Sequence, residues 1–137
     1  LGFSTASAEK LYLPVDTAKD APNVATQEAD ANSLLSKTRK YIELRHTEPA
    51  LANYAEFVPL FAKENTYPFI YARANNNDVV LVMLNPTDNN VEASFETSTD
   101  FSSTKVLAGD TLNIEHNGNT VSVSMPGQSY SIVKLIR

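Results

Sequence analysis

Few side chains in this 137-residue chain are spaced to do chemistry. The acids Asp78, Asp88, Glu92, Glu96, Asp110 and Glu115 fall in turns and strands. Two carboxylates held roughly 5–10 Å apart across a sugar could cut a glycosidic bond. No motif aims any two of these acids at one point, so solvated strand-face charge is expected of each. The two histidines, His46 and His116, have no second histidine at metal spacing. His46 falls at a helix end, where an imidazole meets free carbonyls, and His116 enters a turn. No Gly-rich phosphate loop, GxSxG turn or HExxH helix is present.

Aromatic side chains are the other candidates. Tyr67, Phe69 and Tyr71 share one face of a strand. Core packing is the expected use of such a stripe; stacking on sugar rings is the alternative, with Tyr54, Tyr67 and Tyr71 as the candidate stacking residues. Arg73 closes the same stripe. Its stem could lie on the rings while the guanidinium reaches the sheet edge, or it could meet an acid or carbonyl of a neighbouring domain, or stay solvated.

The elements that must carry these groups follow from periodicity. Residues 1–30 are rich in Ala, Thr, Ser, Asp and Pro and hold no period, so they read as an irregular loop. Such a long loop is expected where it serves a function or lies against a missing partner. Residues 31–48 differ. Leu34, Leu35, Thr38, Tyr41, Ile42 and Arg45 form one stripe of an amphipathic helix. Asp30 and Asn32 are candidate N-caps, and Pro49 stops the helix near Thr47.

From about residue 55 the period is two. Candidate strands run 55–62, 67–74, 78–85, 90–97, 102–107, 110–116, 119–125 and 129–136, separated by Asn-, Pro- and Gly-rich turns. Asn117-Gly118 reads as a type I′ hairpin turn. The pattern predicts a mainly β fold: a Greek-key-like antiparallel β-sandwich of about eight strands, preceded by the irregular segment and one helix.

Composition narrows the function classes. The net charge is -5 and no basic patch exists, so nucleic acid is not an expected partner. No apolar run approaches the roughly 20 residues that span a bilayer, and no signal-peptide pattern is read. The chain has no cysteine, so it has no disulfide and no thiolate metal site. No cofactor or metal is expected. The compartment stays open, with a secreted, periplasmic or cell-surface place expected ahead of the cytoplasm.

Four stretches, in order, carry a family resemblance. FIYARA followed by DVVLVMLNPTD resembles the opening hairpin of the C-terminal domain of α-amylase-family enzymes, glycoside hydrolase family 13. MPGQSYSIVKL at 125–135 resembles that domain's closing strand. SLLSKTRKYIELRHTEPAL at 33–51 is similar to the last helix of the family's barrel. GFSTA, LYLPVD and APNVATQEAD, at 2–6, 11–16 and 21–30, are similar to the segment leading into that helix.

The resemblance implies two parts: residues 1–50, the end of a (β/α)8 barrel (loop 1–30, helix 31–48), and residues 51–137, the C-terminal β-sandwich. It implies that the family's catalytic carboxylates and calcium site lie upstream, so no catalytic, cofactor or metal residue is assigned here. The intact enzyme would act on α-glucans by a retaining mechanism. This fragment would be non-catalytic, its β domain stabilising the barrel. The expected partners are the barrel of its own parent chain and, in second place, α-glucan. The alternative function is a carbohydrate-binding module for starch or maltooligosaccharides. An apolar helix face left wet is also expected to pair two copies into a homodimer.

Overall fold

The computed structural model describes residues 2–137 and divides the chain into two compact units, the first ending at Leu44 and the second spanning Arg45–Arg137.

In the first unit the stretch expected to be irregular contains a short helix, α1 (Val24–Ala29). Its signal is one local cap: the Asn23 side chain accepts from the Thr26 amide at 2.9 Å. Helix α2 (Leu34–Thr47) lies inside the predicted bounds. Its cap is Ser33, whose hydroxyl accepts from the Ser36 amide at 3.2 Å. Neither Asp30 nor Asn32 takes that role, because the Asp30 carboxylate is used one turn early, on the Asn32 amide at 2.8 Å. Gln27 locks the joint: its side-chain oxygen accepts from the Leu35 amide (3.0 Å), and its carbonyl accepts from the Ser33 hydroxyl (2.6 Å). No residue of α2 is buried, and Leu34 is 76% exposed.

The second unit is an antiparallel β-sandwich in which eight strands fall where the period-two reading puts them. One sheet has the order β1-β2-β3-β8-β5, with β1 Glu56–Phe61, β2 Phe69–Ala74, β3 Val79–Asn85, β5 Ser103–Gly109 and β8 Ser129–Ile136. The other has the order β4-β7-β6, with β4 Val91–Glu96, β6 Asn113–Asn117 and β7 Thr120–Met125. Alternation sends Ile70, Leu81, Met83 and Val133 from the larger sheet against Phe95, Val121, Val123 and Met125 from the smaller. These side chains exclude water between the layers and supply most of the driving force for folding.

Strand β3 is apolar on both faces. Val79, Leu81 and Met83 enter the sandwich core, while Val80 and Val82 join a second cluster with Ala50 on the outer side. A strand buried on both sides reads as a continuous apolar run, which is what VVLVML is.

Turn chemistry sets the registers. Asn117 pairs with Thr120, so the two-residue loop is Gly118-Asn119, one position later than expected. Gly118 has φ 58°, and Asn117 is not in the positive-φ region. A glycine at the first central position is the II′ arrangement, which matches strand twist as well as I′ does. Gly109, with φ 85°, ends β5 where a Cβ would lie 2.3 Å from the Tyr130 carbonyl oxygen.

Asn85, 1% exposed, ties two distant turns. Its amide nitrogen donates to the Asn89 carbonyl (2.9 Å) and the Pro126 carbonyl (2.6 Å). Its oxygen accepts from the Thr87 amide (3.2 Å) and hydroxyl (2.8 Å). The four hydrogen-bonding positions of the side chain are filled; the Asn89 carbonyl also accepts from the Thr87 hydroxyl (3.3 Å) and the Pro126 carbonyl from the Ser129 hydroxyl (2.6 Å).

Lys134 on β8 is a partly buried cation facing the buried Glu48. Its ammonium lies 3.0 Å from a Glu48 oxygen and 2.9 Å from Asp78. The hydrogen bond that it donates to Asp78 raises its pKa most, burial opposes the rise, and Glu48 adds to it.

Two outcomes are expected. Asn85→Ala removes four hydrogen bonds at a buried position and lowers unfolding free energy by about 2–3 kcal/mol, read by urea denaturation. Because the folded chain holds the Lys134 proton more tightly than the unfolded chain, that contribution is complete below the ordinary lysine value of 10.5 and is lost as pH rises through the higher folded value. Denaturation curves taken from neutral pH into that alkaline range should show a fall in the wild type that Lys134→Met lacks.

Candidate functional site

The two outer faces of the sandwich are chemically opposite. On the smaller sheet, register puts Glu92, Ser124 and Asn113 in one row, Ser94, Ser122 and Glu115 in the next, and Glu96 beside Thr120 in the third. These side chains bond one another: the Ser94 and Ser122 hydroxyls are 2.8 Å apart, and Asn113 donates to Glu115 at 3.0 Å. The shallow cleft over them holds about 310 Å³ and is lined mostly by Ser, Asn and Glu. It is an ordinary water-facing surface.

The outer face of the larger sheet is apolar and aromatic. Pro59, Tyr71, Val82 and Ile132 stand in one row, and Phe69, Leu84 and Tyr130 in the next. The Tyr71 ring centre lies 4.8 Å from that of Phe57 and 5.4 Å from that of Phe69, both tilted, within the range of favourable ring contacts. Part of this face is covered by the chain itself. The 3-10 turn Pro49–Leu51 places Ala50, with no exposed surface, on Val80 and Val82. The rest is open: Phe57 is 52% exposed and Tyr67 44%.

The stripe Tyr67, Phe69 and Tyr71 therefore belongs to the outer face rather than to the core between the sheets. Alternation could not reveal this, because β2 is apolar on both sides. Tyr67 and Phe69 form one wall of an open groove of about 570 Å³, completed by Leu84, Pro86, Gln128 and Tyr130. Tyr54, 77% exposed, stands before β1. Of the three candidate stacking residues, Tyr67 alone lines that groove.

Polar groups at the groove are engaged within the protein. Asn85 is saturated, the Ser129 hydroxyl donates to the Pro126 carbonyl at 2.6 Å, and the Gln128 amide nitrogen donates to Asp88. What the groove presents is mostly ring and aliphatic surface. That suits an apolar surface better than a sugar, which needs convergent hydrogen-bonding groups as well as a stacking ring.

Arg73 reaches a carbonyl of its own unit rather than one of a neighbouring domain. Its guanidinium donates to the Ala52 carbonyl at 2.6 Å. Three of the six acids considered for bond cleavage do structural work: Asp78 meets Lys134, Asp88 accepts from Gln128, and the Asp110 carboxylate accepts from the Tyr130 amide at 3.2 Å. His116 lies with its ring centre 4.5 Å from that of Phe101. Among the described residues no group of three or more His, Asp or Glu could hold a metal ion, and no helix is long and apolar enough to cross a membrane.

No protein-family model and no curated protein sequence matches this chain. Solved structures do. The chain is similar to the isomaltulose synthase of Erwinia rhapontici, with 26% identity and a TM-score of 0.63, covering 84% of this chain and 20% of that one. It shares its fold with a debranching enzyme from Nostoc punctiforme (22% identity, TM-score 0.57, 69% of this chain and 20% of that one). It also shares it with an α-amylase from H. orenii (15% identity, TM-score 0.56, 82% of this chain and 22% of that one). The chain thus spans about a fifth of the length of the enzymes it matches. Motifs and these matches agree that the chain is similar to one segment of the enzymes of the α-amylase family, glycoside hydrolase family 13, consistent with their C-terminal part.

Proposed function

We propose that this chain is the non-catalytic C-terminal part of an α-glucan-acting enzyme of that family. Residues 1–50 complete the end of a (β/α)8 barrel, and the β domain stabilises that barrel by removing apolar surface from water. The observation that carries the reading is the contrast between the two outer faces. A sandwich alone in water has no use for Phe57, Pro59, Phe69, Leu84 and Tyr130 on an outward face while its other face is Ser, Asn and Glu. Each large apolar side chain moved from water into a packed seam contributes about 1.5–3 kcal/mol. Several together are a sizeable fraction of the roughly 5–15 kcal/mol that holds a domain folded. The exposed Leu34 and Ile42 of α2 support the same reading of the first unit. They also form the face through which two isolated copies would pair.

Catalysis belongs to the absent barrel in this reading, where a carboxylate nucleophile and a carboxylic acid donor would act on the α-glucosidic bond. A second reading, a module that binds starch or maltooligosaccharides, draws on the exposure of Tyr54 and Tyr67. The saturated polar groups around the groove weigh against it.

The chain by itself should show no hydrolysis or transfer on α-glucosides, whereas the complete reading frame that encodes it should show one or the other. Calorimetric titration of the chain with maltooligosaccharides should give no saturable heat at millimolar sugar. Binding that disappears in Tyr67→Ala or Tyr54→Ala would move the function to the second reading, and a reading frame without a barrel would overturn the first.

A further inference from the structure

We propose that residues 48–52 are a clasp: the chain leaving α2 is fixed to the outer face of the larger sheet at two points, with Lys134 and Arg73 as the positioning residues. Register places Arg73, Val80 and Lys134 side by side in one row across β2, β3 and β8. Lys105 of β5 extends the row beyond Lys134, and the other two cations, Arg73 and Lys134, hold the two ends of one five-residue peptide. Lys134 takes Glu48 with both carboxylate oxygens, at 3.0 and 3.1 Å, and is backed by Asp78 at 2.9 Å. Arg73 takes the Ala52 carbonyl at 2.6 Å. Between them Ala50 rests on Val80 and Val82 with no exposed surface.

The peptide is also folded on itself. The Leu51 amide donates to the Glu48 carbonyl (2.9 Å) and the Ala52 amide to the Pro49 carbonyl (3.2 Å). Pro49 fixes its own φ and gives the turn a stiff start. A flexible linker would show none of this: it would be polar, exposed and free of long-range bonds. Glu48, only 8% exposed, spans 86 residues of sequence to reach its partner. Burying a carboxylate carries a large desolvation cost unless it is paired and hydrogen-bonded. That cost is met only when the clasp is shut, so the shut state is the one defined state of this junction. The clasp is built from residues of the second unit alone and does not depend on what precedes it in a longer protein.

Amide hydrogen exchange of the 137-residue chain tests this, comparing wild type with Arg73→Met and Lys134→Met. Each variant should accelerate exchange at Leu51 and Ala52 by about tenfold or more beyond any change at amides in the centres of β3 and β8. Glu48→Gln, which keeps shape and removes charge, serves if Lys134→Met does not fold, and should show the same local pattern. Unchanged exchange at Leu51 and Ala52 would overturn the clasp. So would equal acceleration along the whole sandwich, since that would make the two cations general stability residues rather than holders of this peptide.

Discussion

A β-sandwich needs one dry face per sheet, and the larger sheet of this protein has two. β3 is the strand on which that constraint falls. Its odd residues, Val79, Leu81 and Met83, fill the space between the sheets, and its even residues, Val80 and Val82, demand cover on the other side. Some cover comes from the chain's own Pro49–Leu51 turn. The remainder, from Phe57 past Tyr71 to the groove beside Tyr67, is apolar surface shaped like an interior and left outside. Exposed patches of this kind mark interaction sites, and the small sheet gives the internal control, since its outward rows of Ser, Asn and Glu are what solvent selects.

The position of charge agrees with a permanent seam. The two cations of the larger sheet's outer face that border the covered region, Arg73 and Lys134, are both committed to partners inside the protein. Asn85, at the end of the same sheet, is saturated. A surface so neutralised offers little for electrostatic steering and little for recognising a polyol, but nothing that would resist desolvation against another apolar surface.

Much of the fold was legible in the residues because it rests on local rules. Strand positions followed from alternation and turn residues, and the α2 stripe from a period of 3.6. What was not legible was long-range or very short. Helix α1 is six residues with one capping asparagine, too brief for a periodic signal. Ser33 displaced two better-placed caps because the Asp30 side chain was taken by its own turn. The hairpin loop moved by one residue because glycine served the II′ geometry as readily as asparagine-glycine serves I′. The stripe Tyr67, Phe69 and Tyr71 was correctly placed on one face, but nothing in a doubly apolar strand says which face is the core. The partners of Arg73 and Lys134 lie 21 and 86 residues away and leave no mark on spacing.

The seam is tested most directly by carbene footprinting, which labels solvent-exposed side chains regardless of polarity. The 137-residue chain and the protein from its complete reading frame would be labelled side by side. Phe57, Tyr67, Phe69 and Tyr130 should be strongly protected in the longer protein, while Ser94, Ser122 and Glu115 on the opposite face label equally in both. Equal labelling of the aromatic face in the two proteins would contradict the assignment of that face as a domain junction.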